Sequence, residues 1–231
     1  STRRYPPPTM YDRTVSAWSP APWFLVSRPL GPSDEVVRQG VIDLLDRAIG
    51  SARVTRIVAP SGYGKTSALR QWADRAEGPV AWLTLTEFDD DPVRLHRGIV
   101  SSLKRSAEAV GGEASHRLLQ LIPDVNRLAA SYDALISALE RTAASLVLVV
   151  DDAHLGGEAL RDTVAHLVGD GTSSTIHLVL AGSADVDLPS KLRIDGALAD
   201  ASPAALAFTA AEVDQLTATL GITGDASLAE R

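Results

Sequence analysis

The sequence predicts a three-layer α/β domain built on a mainly parallel sheet, followed by the start of a C-terminal helical subdomain. Three observations lead there. Four short apolar runs, at 54–59, 80–85, 146–150 and 176–181, have the length of strands. The last three are nearly continuous in apolar residues, as befits strands covered on both faces. Between the runs, apolar residues recur at helical spacing, which is the alternation of an α/β fold.

The elements follow in order. Residues 1–22 carry Pro6, Pro7, Pro8, Pro20 and Pro22 among Arg, Ser and Thr, a composition that denies the backbone its ladders and leaves little to bury, so a flexible extension is expected. After the first strand, Ala68, Leu69, Trp72, Ala73 and Ala76 form one helical stripe. After the second, Leu95, Ile99, Leu103 and Ala107 form another, with Pro92 suited to its first turn. Gly111 and Gly112 interrupt that crossover, and a further helix around Leu135, Ile136 and Leu139 precedes the third strand. Leu160, Val164, Leu167 and Val168 make the stripe before the fourth. Thr209 and Glu212 have the spacing of a capping box opening a helix through Leu216 and Leu220. Residues 23–204 are therefore expected to form the main domain, and 205–231 the start of a lid or next subdomain.

Bulk properties narrow the function. With 231 residues, 45% of them hydrophobic, the chain can bury a full core. Its net charge of -7 argues against a surface built to hold nucleic acid phosphates. The absence of cysteine excludes disulfides, thiolate metal sites and cysteine nucleophiles. No apolar run is long enough to span a bilayer and no export signal is apparent, so the cytoplasm and no membrane partner are expected. The histidines at 96, 116, 154, 166 and 177 lack paired metal-ligand spacing and are read as surface or packing residues, and Trp72 and Trp82 as core.

Two motifs carry chemistry. Ala59-Pro60-Ser61-Gly62-Tyr63-Gly64-Lys65-Thr66 joins the first strand to the first helix, the context of a P-loop. Gly62 and Gly64 permit the backbone angles that turn successive amides onto a phosphate, and the following helix presents its positive end. Lys65 would bridge the β- and γ-phosphates, Thr66 would ligate Mg²⁺, and Ser67 is a weaker candidate for the α-phosphate. Ala59 stands where the usual pattern has its first Gly. The second motif is the strand 146–150 ending in Asp151-Asp152, the form of a Walker B element. Asp151 is the expected metal ligand through water, and Asp152 the group to orient or deprotonate an attacking water, unless it only caps the next turn. Glu87, Asp89, Asp90 and Asp91 read as a solvated helix start, with Glu87 a lesser candidate for ordering water. The fold class is thus a three-layer P-loop NTPase, binding ATP or at least a nucleoside triphosphate with Mg²⁺.

The order of these motifs resembles a known family. Val26-Ser27-Arg28-Pro29-Leu30, the loop 59–66, Val80-Ala81-Trp82-Leu83-Thr84-Leu85, Asp90-Asp91-Pro92, Val149-Val150-Asp151-Asp152-Ala153-His154-Leu155, His177-Leu178-Val179-Leu180-Ala181, Leu192-Arg193 and Phe208-Thr209-Ala210-Ala211-Glu212 follow the ATPase module of large LuxR-type bacterial transcription regulators, STAND-class ATPases that include the maltose-regulon activator group. The resemblance spans about residues 24–220. It implies an ADP-held resting state, an ATP state that self-associates, and slow hydrolysis that resets the switch. It also places Val26 and Arg28 near the adenine. Where the family has an Arg after the fourth strand to sense the γ-phosphate, this chain has Gly182-Ser183-Ala184. The family's winged-helix part, helical-repeat sensor and helix-turn-helix are not recognisable here. The expectation is therefore an excised nucleotide-binding domain whose DNA contact lies in a region outside this sequence, or a short relative without that output. An autonomous P-loop ATPase or kinase, and a degenerate nucleotide-binding module used for oligomerisation, are the competing readings.

Overall fold

A computed structural model describes residues 26, 28–31, 35–110, 116, 119–120, 128–142, 145–169 and 176–221. The proline-rich stretch, the Gly111-Gly112 interruption and the last ten residues lie outside the described residues. The elements are α1 (Gln39–Ser51), β1 (Val54–Val58), α2 (Lys65–Ala73), β2 (Val80–Thr84), α3 (Pro92–Val110), α4 (Leu128–Thr142), β3 (Leu146–Asp151), α5 (Gly157–Val168), β4 (Ile176–Gly182), α6 (Lys191–Ile194), β5 (Leu198–Ala201) and α7 (Ala210–Thr219). Single 3₁₀ turns at Ala153–Leu155 and Pro203–Leu206 lead into α5 and α7.

The five strands form one parallel sheet in the order β2-β3-β4-β1-β5. Side chains alternate between its faces. Leu148, Val150, Leu178 and Leu180 belong to a core that includes Leu95, Ile99 and Leu103 of α3, Leu135 of α4, and Leu160 and Val164 of α5. Val149, Val179 and Ala181 belong to a second core with Val41, Ile42 and Leu45 of α1 and Leu69 and Trp72 of α2. The three expected layers are therefore present. Helix α1, the short α6 and β5 go beyond the sequence reading. Helix α1 closes the second face, and β5 adds an edge strand beside β1.

Several polar groups inside the layers are paired. The indole N–H of Trp72 donates to Asp46 (2.7 Å), and that of Trp82 donates to Thr84 (3.0 Å). Thr55 and His177 bond across β1 and β4 at 3.0 Å. Asp89, expected in a solvated loop, is instead buried: its carboxylate accepts from the Thr86 amide and hydroxyl and pairs with Arg94 at 2.6 Å. It ties the β2–α3 connection together, while Glu87 faces solvent. The expected capping box is formed, since the Thr209 hydroxyl accepts the Glu212 amide and the Glu212 carboxylate accepts the Thr209 amide. Among the described residues, no helix is long and apolar enough to cross a membrane.

Burial lowers the pKa of both His96 and His177 to about 4. Between that value and the ordinary 6.5, the unfolded chain binds protons that the folded chain refuses. Folding free energy should therefore weaken as pH falls through this window, by up to about 3 kcal/mol for each ring. Denaturant midpoints measured from pH 7 to pH 4 should decline steeply, and His177→Gln should flatten the decline.

Candidate nucleotide site

Parallel register brings the strand ends to one edge of the sheet. Val58 of β1 pairs with Gly182 of β4, and Thr84 of β2 with Asp151 of β3. The Ala59 amide donates to the Gly182 carbonyl at 3.2 Å, so the loop leaves β1 over the end of β4. Ligands of open α/β sheets sit at this edge, beyond the carboxyl ends of the strands.

From Ala59 the backbone turns into α2 through two glycines with positive φ, Gly62 at 87° and Gly64 at 74°. A β-carbon on Gly62 would meet nothing within 4 Å, while one on Gly64 would approach the Arg38 guanidinium to 3.3 Å. Conformation, more than crowding, is what calls for glycine at both positions. Pro60 and Ser61 lie on the open side of the turn, Tyr63 is largely exposed, and Ser67 opens the helix beyond Thr66. The Lys65 ammonium lies across the loop, donating to the Ala59 (2.7 Å) and Pro60 (3.1 Å) carbonyls. Its side chain is buried against the cradle it closes.

The two motifs meet directly. Thr66 donates its hydroxyl to the Asp151 carboxylate at 2.7 Å, across 85 residues of sequence. Asp151 is 3% exposed. Burial raises its pKa, against the lowering effect of the Thr66 bond, with Asp152 raising it further. A carboxylate so desolvated, beside a hydroxyl, offers the oxygen donors suited to a hard divalent cation. Asp152 leaves the strand in the left-handed conformation, with φ at 53°, and is the only such non-glycine among the described residues. Its amide bonds the Asp151 side chain at 3.1 Å, and its own side chain makes no cap bond to the turn that follows. Strained backbone of this kind concentrates where a side chain must be aimed.

Two further groups at this edge escaped the sequence reading. His154 is half-buried, and its Nε2 and the Ser183 hydroxyl are 2.9 Å apart, at the end of β4. Its position two residues past the acidic pair was the available signal. Arg38, 2% exposed, reaches the Tyr63 carbonyl of the loop at 3.4 Å. Arg28 pairs with Asp74 at the C-terminal end of α2 (2.9 Å), and Val26 is buried in the core that includes α3, α4 and α5.

A profile of the AAA ATPase domain matches residues 36–180. The chain belongs to this AAA ATPase domain family. Sequence relatives include the serine/threonine-protein kinase PknK of Mycobacterium tuberculosis, 28% identical over 85% of this chain and 18% of the kinase. The HTH-type transcriptional regulator MalT of Yersinia pestis is 28% identical over 82% of this chain and 21% of its own length. MalT of Cronobacter sakazakii is 30% identical over 56% and 14%. The likeness to the large LuxR-type regulators is thus present in sequence, and the chain spans about a fifth of the length of these relatives. In fold, the Walker-type ATPase PABY2304 of Pyrococcus abyssi superposes with a TM-score of 0.53 over 82% of this chain and 60% of that one, at 14% identity. The fold is that of a P-loop NTPase, a nucleotide-binding module.

Alanine at either left-handed glycine should cost stability by about 1–2 kcal/mol of backbone strain. Gly64→Ala should lower the denaturant midpoint more than Gly62→Ala, because only its β-carbon approaches Arg38.

Proposed function

We propose that residues 23–204 form the ATP/ADP-binding domain of a signalling switch of the large LuxR-type regulators, with residues 205–231 opening its lid or next subdomain. The observation that carries this is the hydrogen bond between Thr66 of the glycine-bearing loop and Asp151 of the acidic strand end. It supports a nucleotide site with a cation position over a mere strand-to-helix turn, because each partner comes from a motif that needs the other. The loop amides around Gly62 and Gly64 would hold the phosphates. Lys65 would exchange its bonds to the Ala59 and Pro60 carbonyls for the β- and γ-phosphate oxygens. Thr66 would ligate Mg²⁺ directly, and Asp151 through water. When bound, the ion neutralises phosphate charge and holds the polyphosphate in one conformation.

Turnover is the weaker property of the switch. Asp152 would accept the proton of the attacking water, its aim set by the left-handed backbone at its own position. Ser183 stands where the regulators place an Arg, and a hydroxyl bonded to His154 supplies no positive charge to a developing γ-phosphate. Hydrolysis is accordingly slow, which suits a switch that must dwell in its ATP state and self-associate there. DNA contact belongs to other parts of such regulators.

Calorimetric titration with ATP and ADP tests the cradle. Lys65→Ala should weaken binding about 10- to 100-fold through the loss of charge-assisted bonds, and unchanged affinity would remove the assigned role. In single-turnover assays, Asp152→Asn should lower phosphate release by about 100-fold or more while leaving ATP affinity intact. Equal rates in the two proteins would take the catalytic role from Asp152.

A further inference from the structure

Arg38 is buried to a degree unusual for an arginine, and its contacts join the phosphate loop to the segment 206–212. Its backbone is pinned to α2: the Arg38 amide donates to the Gln71 side chain at 2.9 Å, and Gln71 donates back to the Val36 carbonyl at 2.9 Å. One guanidinium nitrogen reaches the Tyr63 carbonyl in the phosphate loop. The other donates to the carbonyls of Leu206 and Ala207, 168 and 169 residues away. The guanidinium also lies 4.2 Å from the centre of the Phe208 ring, and its Nε is 3.9 Å from the Glu212 carboxylate, which caps α7. No residue of α7 is itself buried. The segment 206–208, Glu212 and Arg38 all contribute to its seat on the domain.

The geometry of the peptide group gives this seat a consequence for the loop. In a trans peptide the C=O and the following N–H point in opposite directions. A guanidinium that draws the Tyr63 carbonyl to its own side turns the Gly64 amide, one of those the phosphates would need, to the other side. We infer that Arg38 is a positioning residue that couples the phosphate loop to the 206–219 segment, so that a docked α7 and a filled loop stabilise each other. The inference rests on the nucleotide reading of the loop given above. Linkage makes the effect reciprocal: whatever factor nucleotide contributes to α7 docking, docking returns to nucleotide affinity.

Hydrogen exchange followed by mass spectrometry on the full chain, with and without saturating ADP, reads this coupling. ADP should slow exchange in peptides covering 206–219 by at least about fivefold. In the double variant Phe208→Ala, Glu212→Gln, which leaves Arg38 and the loop intact, the slowing should fall below about twofold and ADP affinity should drop by the factor that was lost. A purely structural role for these contacts would raise exchange equally in both states and leave the ratio unchanged, which would overturn the coupling. Bound ADP with no change of exchange in the unaltered protein would also overturn it. Failure of the unaltered protein to bind ADP would instead overturn the nucleotide reading, and the coupling with it.

Discussion

The bond from the Thr66 hydroxyl to the Asp151 carboxylate is the point on which the architecture converges. For it to form, β1 must deliver the loop and β3 must deliver its acid to the same edge, with β4 held between them. Parallel pairing does this by setting all the carboxyl ends to one side. The buried faces of the sheet then keep the ends from shifting, since a slip of one residue would exchange Val149 for its neighbours and place each in the wrong core. Asp151 is costly where it lies. Its raised pKa expresses that cost, and a cation at the loop would relieve it.

Much of this was legible in the residues. Strand runs bounded by turns gave four of the five strands, and helical stripes gave α2, α3, α4 and α5, because each carries a periodicity tied to burial, while the capping pair Thr209 and Glu212 marked the start of α7. Helix α1 has a comparable stripe in Val41, Ile42 and Leu45, yet it was not read from the sequence. Strand β5, Leu-Ala-Asp-Ala, has little apolar signal because it is an edge strand whose burial is incomplete. Its place depends on pairing with β1, a long-range property that local pattern does not encode.

The site divides in the same way. Gly62, Gly64, Lys65, Thr66 and Asp151 announce themselves because phosphate and metal chemistry needs those types at those spacings. Arg38 and His154 do not, since their roles come from contacts with Leu206, Ala207 and Ser183, far away in sequence. Asp89 misled for a related reason. A run of acids reads as solvated, and only the fold shows one of them turned inward onto Thr86 and Arg94. Val26 and Arg28 were placed near the adenine by family likeness alone, and Arg28 pairs with Asp74 at the C-terminal end of α2.

The central claim is that the loop and the acidic strand end form one site for a nucleotide and its cation. Equilibrium titration of the chain with ATP, first with Mg²⁺ and then after chelation, tests it most directly. Saturable binding that weakens by about tenfold or more when the cation is removed is expected, since the raised energy of a buried carboxylate is what the ion offsets. ATP affinity that is absent, or that is the same with and without Mg²⁺, would contradict it.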